Sequence, residues 1–182
     1  MIPTSVTSIG QYAYQLCTNA SSLTLPNSVT SVSWYAFSDC TKIASVVIPT
    51  SLTSVAAGMF ARCSSLVNVT LPTSITAINL YAFVSCSSIK TLVLPSTLTY
   101  IGTYALSSTA LESVNIPYGV TVIDNLAFHG CVQLRSISLP TSVTRIGDQA
   151  FQSAYKLSSI VIPSSVTSIG NIIHIFNCYC LL

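Results

Sequence analysis

The stretch from residue 25 to residue 48, LPNSVTSVSWYAFSDCTKIASVVI, returns from 139 to 162 as LPTSVTRIGDQAFQSAYKLSSIVI. The same frame fills the rest of the chain, because all eight prolines keep one spacing. Pro3, Pro26, Pro49, Pro72, Pro95, Pro117, Pro140 and Pro163 stand 23 residues apart, with a single step of 22. Ile or Leu precedes each proline, and Thr follows four residues after it, from Thr7 to Thr167. A period of roughly 20 to 29 residues is that of leucine-rich and related solenoids, in which each unit is too small to bury its own core and depends on its neighbours. The chain therefore reads as seven full repeats and a partial eighth over residues 1–170, followed by an apolar tail, 171–182, that departs from the pattern.

Aligning the units on their prolines shows which side chains point inward. The third residue after Pro is always Val, Leu or Ile (Val6 to Val166), and so is the sixth, Val or Ile from Ile9 to Ile169. Before the next Pro, pairs such as Val46/Ile48 and Leu92/Leu94 alternate with mostly small polar residues, the period-two mark of a strand with one buried face. A small residue beside a large one, as in Ala36-Phe37, Ala82-Phe83 and Ala150-Phe151, lies between the two extended pieces. That pairing predicts a short helical turn pressed on the sheet, and Gly10, Gly102, Gly147 and Gly170 just before it predict the point where the chain turns.

The pattern Ile-Pro-x-Ser-Val-Thr-x-Ile-Gly-x-x-Ala-Phe-x-x-Cys-x-x-Leu-x-Ser-Val resembles the BspA-like (TpLRR) class of leucine-rich repeats over residues 2–170. The resemblance implies a leucine-rich repeat solenoid, α/β but strand-dominated. It is expected as a curved right-handed stack with a parallel β-sheet on the concave face, short strands opposite and short helical turns. It also implies a cell-surface or secreted protein that binds host or matrix molecules. The start Met1-Ile2-Pro3 enters the repeat at once, without the basic and apolar regions of an export signal. The N-terminus taken alone predicts a cytoplasmic chain or a fragment of a longer one.

Composition narrows the partners. Hydrophobic residues make up 51% of the chain and charged residues only 5%, so Ser and Thr carry the surface polarity. The net charge of +2 comes from scattered cations and not from a basic patch, which argues against nucleic acid. Apolar runs are broken by Pro, Ser or Thr well short of the roughly 18 residues a membrane helix needs, so no membrane span is expected.

Five cysteines, Cys17, Cys40, Cys63, Cys86 and Cys131, share one column, with Ala154 and Thr109 or Ser108 in its other positions. Stacked side by side about 4.8 Å apart, they read as small buried side chains and not as metal ligands or disulfides. Cys178 and Cys180 lie off the column, in the tail. His129 is near Asp124 in sequence, but no nucleophile elbow or paired-carboxylate spacing accompanies it, and the glycines fall singly. Neither an enzyme nor a cofactor is expected.

The candidate binding surface is the outward side of the strand before each proline. Ser45, Val47, Asn68, Thr70, Thr91, Val93, Ser113, Asn115, Ser136 and Ser138 project there, with Ser22, Thr24, Ser159 and Val161 at its ends. Beside them Lys90, Glu112 and Arg135 form what reads as the only column of charges. This face is expected to dock a protein or glycan ligand in cell-surface adhesion. An alternative from another class uses the Ser and Thr two and four residues after Pro, such as Ser51/Thr53 and Ser74/Thr76, as a structural or ice-binding lattice. Finally, Ile2 at one end and Ile172-Ile173-His174-Ile175-Phe176 at the other are apolar where a solenoid needs polar caps, which predicts end-to-end self-association.

Overall fold

A computed structural model of the chain describes residues 2–171 and the backbone of 179–181. Its strands, numbered in chain order, are β1 (Ser8–Ile9), β2 (Ser31–Val32), β3 (Ser45–Val47), β4 (Ser54–Val55), β5 (Asn68–Thr70), β6 (Ala77–Ile78) and β7 (Tyr100–Ile101). They continue as β8 (Ser113–Asn115), β9 (Val122–Ile123), β10 (Ser136–Ser138), β11 (Arg145–Ile146), β12 (Ser159–Val161), β13 (Ser168–Ile169) and β14 (Tyr179–Leu181). Every pairing is parallel and joins one coil to the next, so the chain is a leucine-rich repeat β-solenoid of about seven coils. Apart from β14, the three-residue strands lie before the prolines, and the two-residue strands lie after them.

Each coil is folded by the chemistry of its columns. The strand ends at Pro, which has no N–H to offer a ladder. The proline carbonyl instead accepts from the N–H three residues on, as in Val29 to Pro26 (3.0 Å) and Ile75 to Pro72 (3.1 Å). That turn swings the Val, Leu or Ile column inward: Val29, Ile75, Leu98, Val120 and Val143 are fully buried. In the three-residue strands β3, β8, β10 and β12 only the middle residue is buried.

The segment expected as a short helical turn is not helical: no helix occurs among the described residues. An α-helix needs successive N–H groups to bond back along their own chain, and here alternate ones leave for the next coil. Gly58, Phe60 and Arg62 donate to Leu80, Ala82 and Val84 of the following coil, at 2.8, 2.9 and 2.8 Å. Met59, Ala61 and Cys63 donate three residues back, to Ala56, Gly58 and Phe60. The alternation recurs through the stack and forms a third inter-coil ladder. It places two columns at positive φ, Tyr35, Gly58, Tyr81, Tyr104, Leu126 and Gln149 in one, and Asp39, Arg62, Ser85, Ser108, Gly130 and Ser153 in the other.

The glycines before this segment serve a different purpose from the expected turn. Their φ is not positive; a Cβ on Gly102 would lie 2.8 Å from the Leu80 nitrogen, and one on Gly147 2.6 Å from the Asn125 nitrogen. They admit the backbone of the preceding coil. Gly10, in the first coil, has no preceding coil, and a Cβ there would meet nothing within 4 Å.

The single 22-residue coil loses its residue between Thr109 and Leu111, where other coils carry a two-residue turn. At the C-terminal end, Tyr179–Leu181 pairs with Ser159–Val161 as one more strand of the stack. The apolar run 172–176 and Cys178 lie outside the described residues.

Candidate functional site

All thirteen residues of the expected ligand face are exposed: Ser45, Val47, Asn68, Thr70, Lys90, Thr91, Val93, Glu112, Ser113, Asn115, Arg135, Ser136 and Ser138. Val93 is 83% accessible and Val47 62%, and Val161 at the end of the same row is 66%. The charged column is continuous through the backbone, since Glu112 N–H donates to Lys90 (3.0 Å) and Arg135 N–H to Glu112 (2.8 Å). Among the described residues no ion pair consumes these three charges.

This face is not an unbroken sheet. β3 pairs with β5 and β8 with β10, but between them Thr91, Leu92 and Val93 make no backbone hydrogen bond to either neighbour. The break leads into the shortened coil. It leaves a depression of about 320 Å³ between Thr91–Leu94 and Ser113–Asn115, open on the same side as the charged column.

Lys90, Glu112 and Arg135 are not the only charged column. Asp39 and Arg62, one coil apart, form a two-pronged ion pair, Nε to Oδ1 at 2.6 Å and Nη2 to Oδ2 at 2.7 Å. Both stand thirteen residues after a proline, in one column of the repeat. The Arg62 guanidinium holds the Asp39 carboxyl below the usual carboxylate range.

The cysteine column is a buried ladder. Cys40, Cys63, Cys86 and Cys131 are fully buried and unbridged, and Cys17, in the first coil, is half-buried. Each buried thiol donates to the carbonyl of the large residue in the coil before: Cys63 to Phe37 (3.1 Å), Cys86 to Phe60 (3.0 Å), Cys131 to Leu106 (3.2 Å). The Phe60 carbonyl also accepts from Cys63 N–H, so both its lone pairs are used. Burial pushes the Cys86 thiol up to about 12 and the Cys131 thiol up to about 11, which keeps both protonated.

Ten hydroxyls of the Ser/Thr array are tied into the stack. Ser51, Ser74, Thr97, Ser142 and Ser165 each donate to a carbonyl of the preceding coil, at 2.6 to 2.9 Å. Thr30, Thr76, Thr99, Thr144 and Thr167 do likewise at 3.1 to 3.3 Å. Hydroxyls whose protons face the adjacent coil cannot donate them to a lattice.

A second concavity, on the side of the two-residue strands, has no counterpart in the sequence-based expectations. Its signal was a run of small residues: Ala56-Ala57-Gly58 occupies the columns held by Ser33-Trp34-Tyr35 below and Asn79-Leu80-Tyr81 above.

A family model described as the BspA type leucine rich repeat region matches this chain in six copies, over residues 1–110 and 58–181. Among solved structures, the T. pallidum leucine rich repeat protein is 31% identical, with a TM-score of 0.78 over 84% of this chain and 72% of that one. A leucine-rich repeat protein from Bacteroides ovatus is 23% identical, with a TM-score of 0.66 over 99% of this chain and 61% of its own. A leucine rich cell surface protein from Faecalibacterium prausnitzii is 26% identical, with a TM-score of 0.56 over 90% of this chain and 59% of its own. The chain thus spans about three fifths of the length of the last two. No curated protein matches it.

Proposed function

The chain belongs to the BspA-type leucine-rich repeat family, and from that premise we propose that it is a non-enzymatic binding module. On this reading it displays the face before the prolines at a cell surface and docks a protein ligand there. The observation that carries the reading is the juxtaposition on one face of exposed branched apolar residues, Val47, Val93 and Val161, with three unpaired charges, Lys90, Glu112 and Arg135. Apolar side chains among open charges suit a protein interface, where aliphatic contacts supply affinity and rim charges set orientation and approach rate. The depression at Thr91–Leu94 beside Ser113–Asn115 would seat a protruding side chain of the partner. The surface location rests on the description of the Faecalibacterium relative.

The test is binding of the labelled chain to arrayed extracellular-matrix proteins and to cultured host cells. Lys90→Glu, Glu112→Lys and Arg135→Glu together should cut association at low salt while leaving the circular dichroism spectrum unchanged. Val47→Ser with Val93→Ser should speed dissociation. Binding unaffected by both variants would remove this face from the function.

A further inference from the structure

On the side of the solenoid carrying the two-residue strands, β2 and β4 fail to pair. No backbone hydrogen bond joins Thr30–Ser33 to Thr53–Ala56, although β1 pairs with β2 below, and β4 with β6 above. The opening is bracketed by inter-coil bonds, from Ser51 Oγ to the Val29 carbonyl (2.6 Å) on one side and from Tyr35 N–H to the Ala57 carbonyl (2.9 Å) on the other. It is a local parting of two coils that are joined at both ends.

Side chains shape the opening into a site. Ala56 and Ala57 form a low floor, Trp34 stands at the near wall, and Leu80 and Tyr100 stand at the far wall. The concavity has a volume of about 690 Å³, inside the range of roughly 300–1,000 Å³ typical of small-ligand sites. Trp34, the chain's one tryptophan, is 62% accessible although it lies against this space. The polar groups of the lining are hydroxyls and amides, from Gln11, Ser33, Ser54, Asn79 and Tyr100, and none of its residues carries a formal charge. The parted ladder also leaves backbone donors and acceptors of Thr53 to Ala56 without inter-coil partners below.

We propose that this concavity over the third coil, beside its parting from the second, is a binding site for a neutral saccharide. A pyranose ring would lie against the indole of Trp34, its C–H face on the aromatic surface, with its hydroxyls bonded to Ser33, Ser54 and Asn79 and to the free backbone groups. Chemistry selects the class. The nearest charge, the Asp124 carboxylate, lies outside the lining and is taken by the Tyr100 hydroxyl (3.3 Å) and Arg145 (3.6 Å). A charged ligand would therefore find no free counter-ion, and a purely apolar one would leave Gln11, Ser33, Ser54, Asn79 and the open backbone without partners. A polyhydroxylated neutral ring satisfies the polar groups and covers the aromatic wall. The site lies away from the face before the prolines, so the two surfaces are tested separately.

Because Trp34 is the only tryptophan, its fluorescence reports on this site alone. Titration with neutral oligosaccharides (glucans of both anomeric linkages, mannan fragments and chitin fragments) is expected to give a saturable change in emission with at least one. Ala57→Leu, which places in the floor the residue Leu80 supplies one coil on, should weaken binding by at least about tenfold while keeping the native melting temperature. Trp34→Ala, followed by calorimetry, should do the same. The Lys90, Glu112 and Arg135 variants should leave it unchanged. The proposal is overturned if no neutral saccharide alters the emission at millimolar concentrations. It is equally overturned if Ala57→Leu binds as the native chain does, or if only acidic saccharides or blocked aromatic peptides give the signal.

Discussion

Two aromatic columns climb the solenoid two residues apart, and only the inner one runs unbroken through the third coil. Inside, Tyr14, Phe37, Phe60 and Phe83 stack at centroid distances of 5.3, 5.9 and 5.7 Å. Outside, Tyr12 stacks on Tyr35 (5.6 Å) and Tyr81 on Tyr104 (5.1 Å), but Gly58 leaves the intervening place without a ring. The inner column tolerates only apolar replacements, as with Leu106, because every one of its side chains in the middle of the stack is buried. The outer column can lose a whole aromatic group, since its contribution to the core is small. Variation that could serve recognition collects where it costs the fold least.

The sharpest test of that contrast is paired truncation. Phe83 is fully buried between coils, so Phe83→Ala should cost about 3–5 kcal/mol, transfer and cavity together. Tyr81→Ala, two residues away in the half-buried outer column, should cost less than half as much. Urea unfolding of both variants decides; equal losses would erase the distinction between the columns.

The cysteine ladder should behave like the inner column. Cys86→Val adds bulk in a closed stack and removes the thiol proton from the Phe60 carbonyl, which predicts a loss of about 1–3 kcal/mol. With thiols held protonated to about 12 and 11, Cys86 and Cys131 should resist iodoacetamide at pH 8 in the folded chain and label readily in urea. Peptide mapping by mass spectrometry separates them from the tail cysteines. Rapid native labelling of either would show that the coils open locally.

At Gly58 the backbone sits at φ 62°, and a Cβ would fall on the Tyr35 ring, which lies over the glycine. Gly58→Ala should therefore cost about 1–2 kcal/mol from the left-handed backbone and push Tyr35 outward. Tyr and Leu occupy this φ in other coils, so the fold itself should survive. A neutral or stabilising result would mean that Tyr35 moves freely and does not need the glycine beneath it.

The frame of this molecule was legible because it is written eight times. A column such as Val29, Leu52, Ile75 and Leu98 states its burial by recurrence, and the parallel register follows from stacking equivalent residues. The missing helix was not legible. Ala-Phe beside Gly suits a helical turn when read within one coil, and only the inter-coil destination of alternate N–H groups excludes it. The site residues divide in the same way. Exposure of Val93 or Lys90 follows from strand alternation, whereas the parting of β2 from β4 and the break at Thr91–Val93 are mismatches between neighbouring coils. No single repeat contains them. The run Ala56-Ala57-Gly58 was a visible clue, legible only against the Trp34-Tyr35 and Leu80-Tyr81 of its neighbours.

The smallest expected effect belongs to the Asp39–Arg62 pair, which joins two coils on the outer surface. Arg62 is 52% accessible, so water screens the pair and its contribution should be under about 1 kcal/mol despite the two-pronged geometry. The Arg62 hydrogen bond lowers the folded Asp39 carboxyl, whereas the unfolded carboxyl titrates near 3.9. Stability from the pair is therefore fully present above that unfolded value and is lost as pH falls through the lower folded one. Asp39→Asn is a clean probe, because asparagine tolerates the φ of 59° found at this position at least as well as most residues. The difference in unfolding free energy between the native chain and Asp39→Asn should be steady from pH 5 to pH 8, shrink toward zero at about pH 2, and diminish in molar salt. A gap that persists unchanged at low pH would show that the carboxylate charge contributes nothing and that the side chain acts through shape alone.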